Sequence, residues 1–194
     1  LKWWSENLKD IPEGIKINNA GGASKSRRLR FRLDRSEKDR LESRAKEIGV
    51  SRAAAAVHTL GQAILASDLA YGSKFSIGVP ASLRDSDDLE RTVGMILTTL
   101  PVVIEPERGV LHTGNALRSA WRHRRVPYQT ILEAAKSSRS TGRSPWLDVM
   151  IGVIEHDRGL PSTGIAHELF SGGGPAVIFA TVVFESDSVE VDLD

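Results

Sequence analysis

Apolar and polar residues alternate from Arg28 to Leu33, with Leu29, Phe31 and Leu33 set between Arg28, Arg30 and Arg32. A period of two sends successive side chains to opposite faces, so this stretch predicts a half-exposed strand. Asp34 follows at once, and Glu37 three residues later completes the signature of a capping box. Along the helix it opens, Leu41, Ala45 and Ile48 share one face, and Gly49 suits the left-handed residue past its end. Ser51 then caps a second helix, predicted from Arg52 to about Ser67. Its alanine-rich start with Val57, Leu60, Ile64 and Leu65 predicts a close-packed, buried element.

The remaining pattern is shorter-ranged. Leu1 to Leu8 predicts a short helix carrying Trp3 and Trp4 and ending before Pro12, and Asn18 to Ser26, with Gly21 and Gly22, a flexible connection. Phe75 to Val79 reads as a short apolar strand, Met95 to Leu97 as a short helix or turn, and Val102 to Ile104 as a strand. His112 to Arg125 has Ala116, Leu117, Ala120 and Trp121 at helical spacing, and Pro127 fits the first turn of a further helix with Ile131, Leu132 and Ala135 inward. Trp146 to Ile154 is strand-like, with Gly152 as an interruption. Ala176 to Phe184 is the strongest β-run, and Ser186 with Asp187 turns it into the alternating Val189, Val191 and Leu193. These elements predict one mixed α/β layer domain with no internal repeat.

Composition narrows the class of protein. With 194 residues, 40% of them hydrophobic and 26% charged, the chain has enough apolar material for a core of its own. A net charge of +1 excludes a globally basic nucleic-acid binder. There is no cysteine, so disulfide and thiolate chemistry are impossible. No apolar run approaches the ~20 residues of a membrane span, and Lys2, Glu6, Lys9 and Asp10 break any signal-peptide pattern. The expectation is a cytoplasmic protein. Because the chain opens on Leu1, it is expected to be a piece of a longer polypeptide.

Candidate chemistry is sparse. The five histidines, His58, His112, His123, His156 and His167, form neither a pair nor a metal-ligand spacing, so none is assigned to catalysis and no metal is expected. His58, among alanines in mid-helix, reads as a packed or hydrogen-bonded residue. Gly72-Ser-Lys74 and Ser171-Gly-Gly-Gly174 lack the P-loop pattern and read as loops. Arg118, Arg122, Arg124 and Arg125, joined by Lys136, Arg139 and Arg143, make a basic cluster. Guanidinium groups there suit a phosphate or an acidic partner, and a solvated helix face is the plainer alternative. Arg84 follows a Gly-Val-Pro sequence expected to turn at the end of a buried strand. A local surface pair with Asp85, Asp87 or Asp88 is the simplest account of its charge.

Several segments nevertheless fall in a telling order. Ser76-Ile-Gly-Val-Pro-Ala-Ser-Leu-Arg84 contains Gly-x-Pro-x-x-x-Arg; Val93-Gly94 and Thr99-Leu100-Pro101 follow; Val126-Pro-Tyr128 and Arg143-Ser-Pro145 come later. In order and spacing, with the Trp3-Trp4 segment ahead of them, they resemble the second half of a condensation domain of nonribosomal peptide synthetases. Thr98 departs from the family's asparagine and Met95-Ile96 from its paired phenylalanines.

The resemblance implies a chloramphenicol-acetyltransferase-like α/β sandwich with a mixed sheet, one lobe of a two-lobed domain. Residues 1–26 would be a leading helix and linker, and 27–194 the lobe. It implies amide formation between carrier-bound aminoacyl or peptidyl thioesters, with phosphopantetheine arms as substrates and no directly bound cofactor. The family's catalytic HHxxxDG motif lies in its first half, and this sequence contains no His-His pair. The chain alone is therefore expected to be inactive. Arg84 would pair with the aspartate of that motif, Met95, Thr98 and Thr99 would border the tunnel floor, and Arg118, Arg122, Arg125 and Arg143 would meet a carrier or phosphate. Expected partners are carrier proteins, neighbouring synthetase domains and the other lobe, with a homodimer of this piece on any exposed lobe interface. No nucleic-acid or membrane partner is expected. The alternatives are a noncatalytic carrier-docking module, or an epimerising or ester-forming relative.

Overall fold

The computed structural model describes residues 1–16, 28–94, 96–137, 144–155 and 176–194. Along the chain run α1 (Lys2–Asn7), β1 (Leu29–Leu33), α2 (Arg35–Ile48), α3 (Arg52–Ala66), β2 (Phe75–Ser82), α4 (Asp87–Glu90) and β3 (Leu97–Ile104). A 3-10 turn (Pro106–Arg108), α5 (Val110–Arg122), α6 (Tyr128–Ala134), β4 (Val149–Glu155), β5 (Ile178–Phe184) and β6 (Val189–Leu193) follow. The six described strands form one mixed sheet in the order β1-β6-β5-β4-β2-β3, with β4 parallel to both β2 and β5 and the other pairs antiparallel.

Local chemistry explains many boundaries. The Asp34 side chain accepts from the Glu37 amide at 2.9 Å, and the Glu37 carboxylate accepts from the Asp34 amide at 2.9 Å. Both donors would otherwise be orphans of the first turn of α2. Gly49 ends that helix at φ 79°, and the Ser51 hydroxyl accepts from Ala54 to start α3. The β5–β6 turn closes with the Glu185 amide donating to the Ser188 carbonyl at 2.9 Å.

Strand alternation gives the sheet two different faces. One is apolar across its width: Phe31, Val191, Val182 and Val153 lie in register, and Ile77, Val102 and Ile104 continue it. Helix α3 packs here closely enough that a Cβ on Gly61 would stand 2.5 Å from the Ile104 side chain. The other face carries the row Arg30, Asp192, Thr181 and Gly152, and further along it Gly78 and Thr99.

The first residues share the core. Trp4, Leu8, Ile11 and Ile15 are buried in one cluster with Ile77, Val102, Ile131 and Phe184. The Trp3 ring stacks on His123 at 4.2 Å, while the Trp4 indole donates to the His123 carbonyl at 3.3 Å. The Ile15 amide donates to the buried Asp148 carboxylate at 3.0 Å, and the Trp146 indole to the Ile11 carbonyl at 3.1 Å.

Four expectations are corrected. The Gly78-Val79-Pro80 segment is strand rather than turn, and β2 runs on to Ser82. Leu97, expected in a helix or turn, opens β3. The strand expected from Trp146 begins only at Val149, because Trp146 sits at φ 62° in a preceding turn. Helix α5 starts two residues before His112 and ends at Arg122, so Arg124 and Arg125 lie beyond it. Asn18 to Ser26 and Ser171 to Gly174 lie outside the described residues. No helix among those described is long and apolar enough to cross a membrane.

Candidate functional site

Arg84 leaves the end of β2 and turns back over the loop that carries α4. Its Nη1 donates to the carbonyls of Leu89 at 2.5 Å and Thr92 at 2.7 Å, and its Nη2 to that of Gly94 at 2.7 Å. These carbonyls lie at and beyond the C-terminal end of α4, where helical carbonyls lack internal partners and favour a cation. Gly94 adopts φ 140°, a conformation open to glycine and strained for other residues. The expected pairing of Arg84 with a neighbouring aspartate does not form among the described residues. A guanidinium has five N–H groups, and no described acceptor takes Nε–H.

Asp85 is claimed from elsewhere. Arg125 Nη2 reaches its carboxylate at 2.6 Å and Arg124 Nη2 at 3.2 Å. Arg124 also lies over the Trp121 ring at 5.0 Å and donates to the Trp121 carbonyl at 3.2 Å. The end of α5 is thus fastened to the residue after Arg84, across about forty positions of sequence. Arg118 and Arg122 lie one turn apart and are exposed. Arg118 donates to Asn115 Oδ1 at 2.6 Å. The basic cluster accordingly divides into a pair anchored on Asp85 and a pair open to solvent. Arg143 lies outside the described residues, as does Met95.

Thr98 and Thr99 are neighbours in β3 and point to opposite faces of the sheet. Thr99 pairs with Pro80 and shares a sheet face with Gly78. A Cβ on Gly78 would stand 2.8 Å from both the Leu147 and Met150 side chains and 3.4 Å from Thr99 Cγ2. Only glycine allows β2 and β4 to approach this closely.

Of the three described histidines, His58 and His123 occupy structural positions, and His112 Nδ1 is buried with no partner among the described residues. His58 Nδ1 lies 3.2 Å from the Thr113 hydroxyl, joining α3 to α5, and burial holds the ring below its usual pKa. His123 is stacked on Trp3, with Nδ1 2.9 Å from the Ser119 carbonyl. His156 and His167 lie outside the described residues. Tyr128 is pushed up from its usual pKa, first by burial and then by the charges of Glu13 and Asp148, and its hydroxyl donates to the Pro145 carbonyl at 2.5 Å. Among the described residues no cluster of His, Cys, Asp and Glu could hold a metal ion.

Sequence reasoning did not find the Asp85 anchor. Its partners lie 39 and 40 positions away, and only the basic character of Arg124 and Arg125 marked them.

Residues 1–158 match the condensation domain family. Surfactin synthase subunit 1 of Bacillus subtilis (strain 168) is 26% identical over 149 residues, covering 71% of this chain and 4% of that protein. A plipastatin synthase subunit of the same organism is 31% identical over 94 residues, covering 45% of this chain and 4% of its own. In fold, the chain superposes on the X-domain from teicoplanin biosynthesis solved in complex with OxyB, with a TM-score of 0.78 and 20% identity, covering 99% of this chain and 46% of that one. The condensation domain from the monacolin K polyketide synthase MokA superposes with a TM-score of 0.71 and 16% identity, over 99% and 50% of the two chains. The chain therefore spans about half the length of these two solved chains and a small part of the synthases, and its mixed sheet and helix layer are the chloramphenicol-acetyltransferase-like sandwich. By the match over 1–158, this chain belongs to the condensation domain family of nonribosomal peptide synthetases.

Proposed function

We propose that the chain is the C-terminal half of a condensation domain, with residues 1–26 leading into a lobe over 27–194. The observation that carries this reading is the superposition of 99% of the chain on only 46% of a solved relative, together with the order of the motifs around Arg84. A half bearing HHxxxDG packs against this lobe. There an acceptor amine attacks a donor thioester, the C–N bond forms, the C–S bond breaks, and the carrier thiol leaves with a proton. The second histidine of that motif assists by proton transfer or by positioning, and this lobe supplies no base.

In this reading Arg84 is a positioning residue. The carbonyls of Leu89, Thr92 and Gly94 fix its guanidinium through Nη1 and Nη2, and Nε–H faces the aspartate of HHxxxDG. Met95, Thr98 and Thr99 belong to the floor of the tunnel between the lobes, with Thr99 on the same sheet face as Gly78. The phosphopantetheine arms of two carriers enter that tunnel as substrates, and no cofactor is held directly. Arg118 and Arg122, open to solvent on α5, meet an acidic carrier, with Arg125 and Arg143 at the margin. Neighbouring synthetase domains flank the pair of lobes, and the lobe interface, left open, drives homodimer formation. The compartment is the cytoplasm.

A second reading is a docking module without condensation activity. It is favoured by one observation, the fold shared with an X-domain solved in complex with OxyB. Sedimentation of this chain with the HHxxxDG-bearing half of its own polypeptide tests the first reading. A one-to-one complex, weakened at least tenfold by Arg84→Ala, is expected. Two species that sediment independently overturn the two-lobe reading.

A further inference from the structure

The apolar sheet face is not filled by the helices that cover it. Between α2, α3 and the β4-β5-β6-β1 part of the sheet lies a cavity of about 240 Å³, lined almost wholly by carbon. Its cause is a stripe of short side chains. Ala56, Thr59 and Ala63 recur along one side of α3 and face Ala180 on β5, so helix and sheet stand apart with little between them. Leu60, Leu41 and Val182 complete the walls. Folded interiors are packed like organic crystals and hold few voids larger than a water molecule. A cavity of this size is therefore a distinct feature of the lobe.

Its chemistry selects its occupant. Thr59 carries the one side-chain hydroxyl among the lining residues, and no charged residue lines the cavity. The arginines of β1 project from the opposite face of the sheet, where Arg30 is held by Asp192, and Arg28, just before the strand, is held by Asp194. An ionised or strongly hydrogen-bonding group inside would lose its hydration without replacement. An apolar group placed there takes apolar surface out of water on both sides, which favours an apolar ligand. The cavity is open at one side, where Thr59 and Ala63 are exposed and Phe31 of the edge strand is 48% exposed. A ligand's polar end can remain in water at that mouth.

We infer that this cavity binds the tail of a linear hydrocarbon chain, with the polar end of the molecule at the Thr59–Phe31 mouth. The site lies under the helix layer of the lobe and does not depend on the condensation reading.

Titration of the 194-residue chain with n-alkanols from butanol to dodecanol, followed by calorimetry, tests it. Affinity rises about fourfold per added methylene, the value of burying one CH₂, and levels off before dodecanol, once the chain outgrows the cavity. Ala56→Leu and Ala63→Leu, which fill the cavity, weaken octanol binding at least tenfold without lowering the melting temperature. Ala66→Leu, outside the cavity on the same helix, leaves binding unchanged. Leu60→Ala, which enlarges it, moves the plateau to longer chains, and keeps the test decisive if a filling variant does not fold. Absence of saturable binding overturns the inference. So does affinity that climbs without a plateau, or binding that all these variants leave untouched.

Discussion

Arg84 Nη2 donates to the carbonyl of Gly94 at 2.7 Å, closing a loop whose other end is held by Arg84 Nη1 on Leu89 and Thr92. One guanidinium thereby ties the end of β2 to the approach to β3, two strands that pair along their whole length. Hydrogen bonds to charged groups contribute about 1.5–3 kcal/mol each when sheltered and less in water. Arg84→Ala is therefore expected to cost about 2 kcal/mol in urea unfolding. Arg84→Lys recovers less than half of that, because an ammonium cannot span the three carbonyls as a planar fork does. Equal stability of the lysine variant and the parent would contradict this role.

Gly78 tests the packing of the sheet. An alanine there brings Cβ to 2.8 Å from two neighbouring side chains. Overpacking of this kind costs about 1–3 kcal/mol, read as a lower urea midpoint at unchanged slope. A neutral Gly78→Ala would mean that Leu147 and Met150 move aside freely.

The leading helix is predicted to be part of the folding unit. Trp4 is fully buried and makes a bond to the chain after α5. Trp4→Ala is expected to lower stability by about 3–5 kcal/mol, the usual cost of deleting a buried large aromatic. Chemical unfolding decides it, and a change below about 1 kcal/mol would place α1 outside the cooperative core.

His58 gives the pH dependence a sign. Burial lowers its pKa below the ordinary 6.5, so the folded chain favours the neutral ring. At high pH both states are neutral and the stability is fully present. As pH falls below 6.5 the unfolded state takes up the proton first, and stability is lost. Between pH 7 and 5 the unfolding free energy should fall more steeply for the parent than for His58→Gln. Parallel slopes would contradict the buried, neutral role.

Much of the architecture was written in local signals. The capping box of Asp34 and Glu37, the left-handed Gly49 and the Ser186-Asp187 turn each need only a few adjacent residues, and each stands where the sequence puts it. What failed depended on neighbours distant in sequence. Pro80 argued for a turn because a proline has no amide to give a ladder. It is accommodated because β2 pairs with β4 at Gly78 and Met150 alone, which leaves that side of the strand free by Pro80. Thr98 and Thr99 joined β3 by pairing with Ala81 and Pro80, partners invisible from their own composition. At the site, Arg84 was legible as a motif residue. Its partners were not, since they are backbone carbonyls, which any sequence would offer.

We propose that this lobe takes part in amide formation only with a second lobe. Mass spectrometry of the amide product from two loaded carriers tests it, using the chain alone and the chain mixed with the HHxxxDG-bearing half. Product is expected from the mixture and none from the chain by itself. Product from the chain alone, or none from a mixture in which the two halves form a complex, would contradict it.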